Sequence, residues 1–531
     1  MRVLFNARIR TNDDRNRTAT AIAVEHGRVM LAGSDAEILE RYGHVAETQD
    51  MQGYTIWPGL TDSHIHLRHY AYSLSMVNCE TATRAECLRR VAGQVNQNRQ
   101  DHRSAWVLGH GWNQNNWPEG FGSVQDLDDI APDIPVYLTA KSLHMGWANS
   151  AALRAAGISR ASPDPEGGRI GRDERGEPNG LVYESAMDLL NNAIPTPSPA
   201  EIAAALDAAQ ATLWRHGITA VHDYDGADCF AALQRLQAEG KLRLRVVKSI
   251  PLENLDHAIA VGLRTGFGND FLRIGPVKLF ADGALGPRTA AMFQPYEGEP
   301  QNTGILLLDQ EQVFAYGQQA VDHGISMAIH AIGDRAVHEV LAGYAHLRRY
   351  EREKGLAPLR HRVEHVQLLP PGDQNRLAEL NLTASVQPIQ ATSDLEMVDR
   401  YWGSRGDQAY AFKTLLASGA RVCFGSDAPV ESPDPFLGLH AAVTRQRRDG
   451  SPDAQGWYPD QRVDLAQALH GFTTEPAYAV GLESKQGRLA PGYYADLIVL
   501  EKDPFDLPAS QLYQVQPVAT MVGGEWVWKV E

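Results

Sequence analysis

The stretch Thr55-Ile56-Trp57-Pro58-Gly59-Leu60-Thr61-Asp62-Ser63-His64-Ile65-His66 decides how this 531-residue chain is read. An apolar run, TIWPGL, leads into two histidines two positions apart. On a β-strand residues i and i+2 face the same side, so both imidazoles can project together. Imidazole is the commonest zinc ligand, and two ligands on one strand lower the entropy of assembling a site. A His-x-His is also at home on a surface loop, so the rest of the chain must decide.

Seven further apolar segments follow, over 217–224, 244–250, 275–281, 325–330, 361–365, 382–387 and 421–427. Helical patterns separate most of them, among them PAEIAAALDAAQATLWRHG before the second strand and DQEQVFAYGQQAVDHG before the fifth. Eight strands alternating with helices predict an α/β fold, a parallel (β/α)₈ barrel over residues 56–486. In that fold catalytic groups sit at the C-terminal ends of the strands. His330 closes ISMAIH, His365 closes HRVEH and Asp427 closes RVCFGSD. Each is competent to bind metal, and together with His64 and His66 they form a constellation rather than scattered core residues.

Lys278 lies in the fourth segment, PVKLF, among apolar neighbours. A lysine facing a core is costly unless it is paired or chemically altered. Two readings stand: a carbamate formed with CO₂, able to bridge two cations, or an ion pair with a carboxylate such as Asp282. Glu364, next to His365, is expected on the opposite face of its strand as outer support. His222 and Asp223 end the second strand; either they line the pocket or they support groups that do. Arg288 either binds an anionic group or pairs with an acidic neighbour.

The first crossover is far too long for one helix. Residues 68–197 read as an insertion with its own strands, AWVLGHGW and IPVYLTA, and a turn-rich stretch, SPDPEGGRIGRDERGEPNG. Placed after a strand's C-terminal end, it would cover an active site. Within it His144 could donate to a substrate carbonyl or be structural. Trp112, Trp117 and Trp147 either line an acyl pocket or pack the insertion on the barrel. At the ends of the chain, VLFNARI, TAIAVEHGRVMLAG and AETQDMQGYTIWPG are answered by ADLIVLE and VATMVGGEWVWKV. This predicts a small β-sandwich from residues 1–55 and 487–531, with a helix over 35–42.

Composition narrows the classes. Apolar residues make up 43% and charged residues 21%, enough for a large core. A net charge of −16 argues against nucleic acid and anionic membrane as partners. No stretch approaches the ~18 uncharged apolar residues of a membrane helix. The N-terminus reaches charges before a signal-like run develops. Cys79, Cys87, Cys229 and Cys423 form no Cys-x-x-Cys pair, and reduced thiols in a cytoplasmic protein are expected. A small-molecule substrate is the expected partner, with a homodimer left open. GHGWNQ is no nucleotide signal, since no strand, Gly-rich turn and helix unit surrounds it, and no GxSxG elbow is present.

The motifs also resemble a known family. Pro58-Gly59-Leu60-Thr61-Asp62-Ser63-His64-Ile65-His66 resembles the first-strand signature of the amidohydrolase superfamily. VKLFADGALGPRTAAM (277–292), IHAIGDRAV (329–337), RVEHVQLL (362–369) and FGSDAPVESPDPF (424–436) resemble its YtcJ-like branch, which includes N-substituted formamide deformylases. GHGWNQNNWP (109–118) and SLHMGWANSAAL (142–153) are similar to that branch's insertion, and EPAYAVGLESKQGRLAPGYYADLIVL (475–500) to its return to the β-sandwich. The resemblance covers nearly the whole chain, in order. Pro287 departs from it, where relatives commonly carry Ser.

What the resemblance implies is a binuclear site for two divalent metal ions, zinc foremost. His64 and His66 would hold the more buried ion with Asp427, His330 and His365 the second, and Lys278 would bridge as a carbamate. Asp427 would be the catalytic proton carrier. From their positions in the sequence alone, His144 is expected beside it as a catalytic donor, with Trp112, His144, His222 and Arg288 as substrate contacts. The implied reaction is hydrolysis of an amide-like C–N bond in an N-acyl or N-formyl amine. The alternatives are a mononuclear deaminase- or imidazolone-type hydrolase with a free Lys278, and a non-catalytic ligand-binding relative.

Overall fold

Eight parallel strands are paired in sequence order in the computed structural model, which describes residues 1–13, 18–101 and 106–530. Positions 14–17 and 531 of the expected terminal β-domain lie outside the described residues, as does Ala105, the head of the strand expected over 105–112. The barrel strands are β1 (Leu60–Ile65), β2 (Ile218–Asp223), β3 (Arg245–Pro251), β4 (Leu272–Phe280), β5 (Met327–Ala331), β6 (Arg362–His365), β7 (Thr383–Val386) and β8 (Arg421–Phe424). Every neighbouring pair is parallel. Beyond β8 the chain meets β1: the amide of Asp427 donates to the carbonyl of His64 at 2.7 Å, and that of His66 to Ala428 at 2.9 Å. These bonds nearly close the barrel at its C-terminal end.

The expected first strand divides. Thr55–Pro58 pairs with Arg8–Arg10 and Leu497–Leu500, and only Leu60–Ile65 enters the barrel. The switch falls at Gly59, where a Cβ would lie 2.4 Å from the Thr219 hydroxyl oxygen. Glycine is required there because β2 approaches so closely.

Helices form where their end signals predict. Pro199–Arg215 starts on a capping box between Ser198 and Glu201, with Pro199 in the first turn. Its buried Ile202, Leu206 and Leu213 pack with Ile218 and Val221 of β2. Gln310–Asp322 begins on a second capping box, Asp309 with Gln312. The helix Asp334–Lys354 places Val337, Val340, Leu341 and Tyr344 against Ile329 and Val363 of the barrel. Full burial of each such aliphatic side chain contributes about 1.5–3 kcal/mol.

The termini supply two sheets. Strands from both ends interleave in a six-stranded sheet that includes Arg8–Arg10, Thr55–Pro58, Leu497–Leu500 and Pro517–Val522. Arg2–Phe5, Ala21–Glu25, Arg28–Gly33 and Glu47–Asp50 form a four-stranded one. Leu4, Ile22 and Val24 of the second sheet share an apolar cluster with Ile56, Leu497 and Met521 of the first. The helix Asp35–Tyr42 forms as the sequence predicts and packs Ile38 against Val3, Ala21 and Ala23 of the second sheet.

The insertion carries more sheet than its sequence suggests. Six strands pair in the order Gly168–Arg172, Pro178–Glu184, Met145–Ala148, Val136–Ala140, Val107–Trp112 and Val77–Asn78. The turn-rich stretch contributes to a β-hairpin, Gly168–Arg172 with Pro178–Glu184. Its strands are joined through Asp173–Glu177, held by Asp173 Oδ1, which accepts from the amides of Arg175 and Glu177. The four cysteines are free and buried. Among the described residues no helix is long and apolar enough to cross a membrane.

Candidate metal centre and active-site cavity

Six side chains named from sequence meet above the barrel's C-terminal end: His64, His66, Lys278, His330, His365 and Asp427. His64 Nε2 and His66 Nε2 lie 3.4 and 3.5 Å from Asp427 Oδ1. Ligand atoms of these three residues all fall within 4.8 Å of one another, a spacing that one ion can span. The rings of His330 and His365 are 4.5 Å apart, and that of His365 is 4.8 Å from His64. Two of the six depend on backbone turned out of the strand conformation: His365 has φ 74° and Asp427 φ 61°. Such left-handed positions are costly for non-glycine residues and cluster at functional sites.

Each imidazole has one nitrogen occupied by the protein. His64 Nδ1 meets Glu364 Oε2 at 2.6 Å, and His66 Nδ1 meets Asp225 Oδ1 at 3.2 Å. His365 Nδ1 meets Gln387 Oε1 at 2.9 Å, and His330 Nε2 meets the carbonyl of Gly283 at 2.9 Å. A carboxylate or carbonyl on one ring nitrogen fixes the tautomer and leaves the other nitrogen as a lone-pair donor. His64 Nε2 is buried without a hydrogen-bond partner. Burial, reinforced by the positive charge of Lys278 or of neighbouring imidazoles, holds His64, His330 and His365 well below the usual histidine range, hence neutral. Neutral imidazoles are what a cation requires.

Lys278 is buried, and its Nζ has no hydrogen-bond partner. Burial lowers its pKa to about 8, so the neutral amine is accessible near neutral pH. Asp282, the alternative ion-pair partner, is engaged elsewhere. Its carboxylate accepts from the amides of Ala291, Ile332 and Gly333. Lys278 Nζ instead sits 4.5 Å above the ring of Tyr224, which stacks on His64 and donates its hydroxyl to Glu364. His66 differs: burial would lower its pKa, but the Asp225 carboxylate outweighs it and holds the ring above its ordinary value. The donor set fits a divalent cation pair: imidazole nitrogens, one carboxylate, and an unpartnered amine among them.

Glu364 corrects the sequence expectation. It faces into the barrel beside Arg362, with Arg362 Nε 2.9 Å away, and holds His64 from that side. His365 reaches the same site only because its left-handed backbone turns it back from the alternation. Asp427 Oδ2 accepts from Gln390 at 3.1 Å, and burial raises the Asp427 carboxyl above the usual range.

A cavity of about 1750 Å³ opens over these residues, walled by the insertion and by the loops after the strands. His144 lines it, its ring 5.9 Å from that of His330. His144 and Glu184 end neighbouring insertion strands, and His144 Nδ1 lies 2.7 Å from Glu184 Oε2. Thr289, from the loop after β4, donates to the other oxygen of Glu184 at 2.6 Å. Burial alone would lower the His144 pKa, but the Glu184 carboxylate outweighs it and holds the ring above its ordinary value. Trp112 also lines the cavity, with its indole N–H on the carbonyl of Leu138.

Other expected contacts are not brought to the cavity. His222 is buried deeper in the barrel, its Nδ1 taken by the Arg362 guanidinium at 2.8 Å, and Asp223 pairs with Lys248 at 3.1 Å. Arg288 makes an ion pair with Glu299. Neither His222 nor Arg288 lies in the wall. Trp117 and Trp147 pack with Trp112 in the insertion's own core. Sequence reasoning missed Asp225, Glu184, Gln387 and Gln390. For Asp225 a signal existed: in His-Asp-Tyr-Asp (222–225) a second acid follows the strand end. The others gave none, because their partners are distant in sequence.

A model of the amidohydrolase family matches residues 47–528. The chain belongs to that family. It is 32% identical over 520 residues to "Putative amidohydrolase YtcJ" of Bacillus subtilis (strain 168), covering 96% of each chain. It is 29% identical over 539 residues to "N-substituted formamide deformylase" of Arthrobacter pascens, covering 98% of this chain and 97% of that one. Among solved structures, an uncharacterized metal-dependent hydrolase from Pyrococcus horikoshii superposes with a TM-score of 0.78 at 29% identity, covering 96% of this chain and 99% of the other. This amidohydrolase-family chain is therefore a metal-dependent hydrolase by kinship, with groups of residues competent to hold the metal.

Proposed function

We propose that the chain hydrolyses an amide-like C–N bond of an N-acyl or N-formyl amine at a site for two divalent cations, zinc foremost. The carrying observation is the set of four histidines, each with one nitrogen fixed by the protein, converging with Lys278 and Asp427. His64, His66 and Asp427 would hold one ion, and His330 and His365 the other. Lys278, carboxylated through its unpaired amine, would bridge them. Bound divalent cations acidify a water and polarise the substrate carbonyl.

The remaining work falls to the chain's own groups. Asp427, oriented by Gln390, accepts the proton of the attacking water and delivers it to the departing nitrogen. His144, oriented by Glu184, donates a hydrogen bond to the carbonyl oxygen as negative charge develops there. The insertion shields the site from bulk water, which strengthens both interactions.

A one-ion, deaminase-like reading is favoured by one fact: within the six-residue set, the compact group of carboxylate and imidazole ligands is His64, His66 and Asp427. The two differ in the state of Lys278, and ¹³CO₂ labelling separates them through a carbamate resonance. The reaction class is tested by a panel of N-formyl and N-acyl amines with the metal-loaded protein. Release of free amine is expected. A protein inert toward every amide, ester and lactone would instead be a ligand-binding relative.

A further inference from the structure

Among the described residues, twelve large apolar side chains are exposed, and three of them, Phe280, Ile305 and Leu307, line the same cavity. Their exposures are 43%, 37% and 42%. The clustering follows from strand geometry. The segment after Gly304 runs beside the end of β4, the amide of Leu307 donating to Ala281 at 2.8 Å and that of Ile305 to Thr289 at 2.9 Å. Asp282 and Leu306 form an isolated bridge there. In extended chain Ile305 and Leu307 share a face, so both present to the cavity. Phe280, at the end of β4, joins them, its ring 5.3 Å from that of His330 and 4.8 Å from Lys278 Nζ.

This apolar wall starts at the metal-competent residues and extends past Thr289, the residue that anchors Glu184. Water-exposed apolar surface of this kind is disfavoured unless something covers it, and in a cavity the usual cover is a ligand. The wall offers no charge and no hydrogen-bonding side chain, so it selects an uncharged hydrocarbon group. Its contact with His330 places that group within one residue's width of the reacting bond.

We infer that Phe280, Ile305 and Leu307 form a subsite for an uncharged aryl or alkyl group carried on the scissile amide. The inference rests on the proposed hydrolase reading and narrows its substrate class to amides bearing an apolar substituent. Small polar amides would leave the wall wet and bind weakly. Apolar ones would displace that water, at about fourfold in affinity for each methylene covered.

Calorimetric titration of the metal-loaded protein with straight-chain hydroxamates, from acetohydroxamate to octanohydroxamate, together with phenylacetohydroxamate, tests this. The hydroxamate head stays constant while the tail varies. Kd is expected to fall about fourfold per methylene until the wall is covered. In Leu307→Ser, and separately in Ile305→Ser, that slope should flatten while acetohydroxamate binds within twofold of the parent protein. A flat series, an unchanged slope in both variants, or no binding of any member overturns the subsite. Amide turnover with a flat series would remove the subsite and keep the hydrolase. A steep, mutation-sensitive series in a protein that cleaves no amide would do the reverse.

Discussion

At the strand ends of the barrel, site-facing polar groups are gripped by a second side chain. Glu364 grips His64, Asp225 grips His66, Gln387 grips His365 and Gln390 grips Asp427. The insertion is built differently. Its core is a cluster of Trp112, Trp117 and Trp147, and it sends one oriented imidazole, His144, toward the metal-competent residues. That imidazole is latched to the barrel through Glu184 and Thr289. The difference separates two tasks. The barrel holds metal-competent groups in fixed geometry, which metal chemistry demands. The insertion and the loop after β4 shape what approaches, through the His144–Glu184 pair and the side chains that wall the cavity.

Substitutions on the two sides should therefore fail differently. On the barrel side, Asp427→Asn is expected to lower kcat by about 10³-fold while leaving most metal bound, since it removes proton transfer rather than the whole ligand set. Kinetics and metal content on one preparation check this, and near-parent turnover would sink the role. Glu364→Gln should weaken metal affinity roughly 10–100-fold without touching substrate, because His64 is the metal-competent residue that it orients. Competition with a chelator reads that shift.

On the insertion side, Glu184→Gln is expected to cost about tenfold in kcat/KM with metal content unchanged, the loss of one charge-assisted hydrogen bond. Glu184 holds the His144 pKa above its ordinary value. Without it the ring loses its proton at lower pH, so the high-pH limb of kcat/KM should move to lower pH. An unmoved limb would mean that His144 does not donate. The smallest effect is expected at a helix cap whose hydroxyl is spent on Glu201: Ser198→Ala removes that cap and should cost ~1 kcal/mol of stability, with kcat/KM unaltered.

The same division explains what the sequence made legible. Barrel strands announce themselves as apolar runs, and several of those runs close on a metal-competent residue. So His330, His365 and Asp427 could be placed without seeing one another. Alternation then misled at β6: it put Glu364 outside, whereas the left-handed backbone at His365 brings both residues into the site. Gly59 hid a change of sheet inside one apolar run. In the insertion, glycine and proline density suggested turns where a hairpin forms. The Glu184–His144 pair was invisible because it depends on the register of Pro178–Glu184 against Met145–Ala148. Arg288 and His222 looked like pocket residues by position, but Glu299 and Arg362 had claimed them.

The central claim is that His64, His66, Lys278, His330, His365 and Asp427 hold two cations bridged through Lys278. Metal content per chain, measured by mass spectrometry on the parent protein and on Lys278→Ala after equilibration with zinc, tests it most directly. Two ions in the parent and one or none in the variant is the predicted result. One ion in both proteins would contradict it.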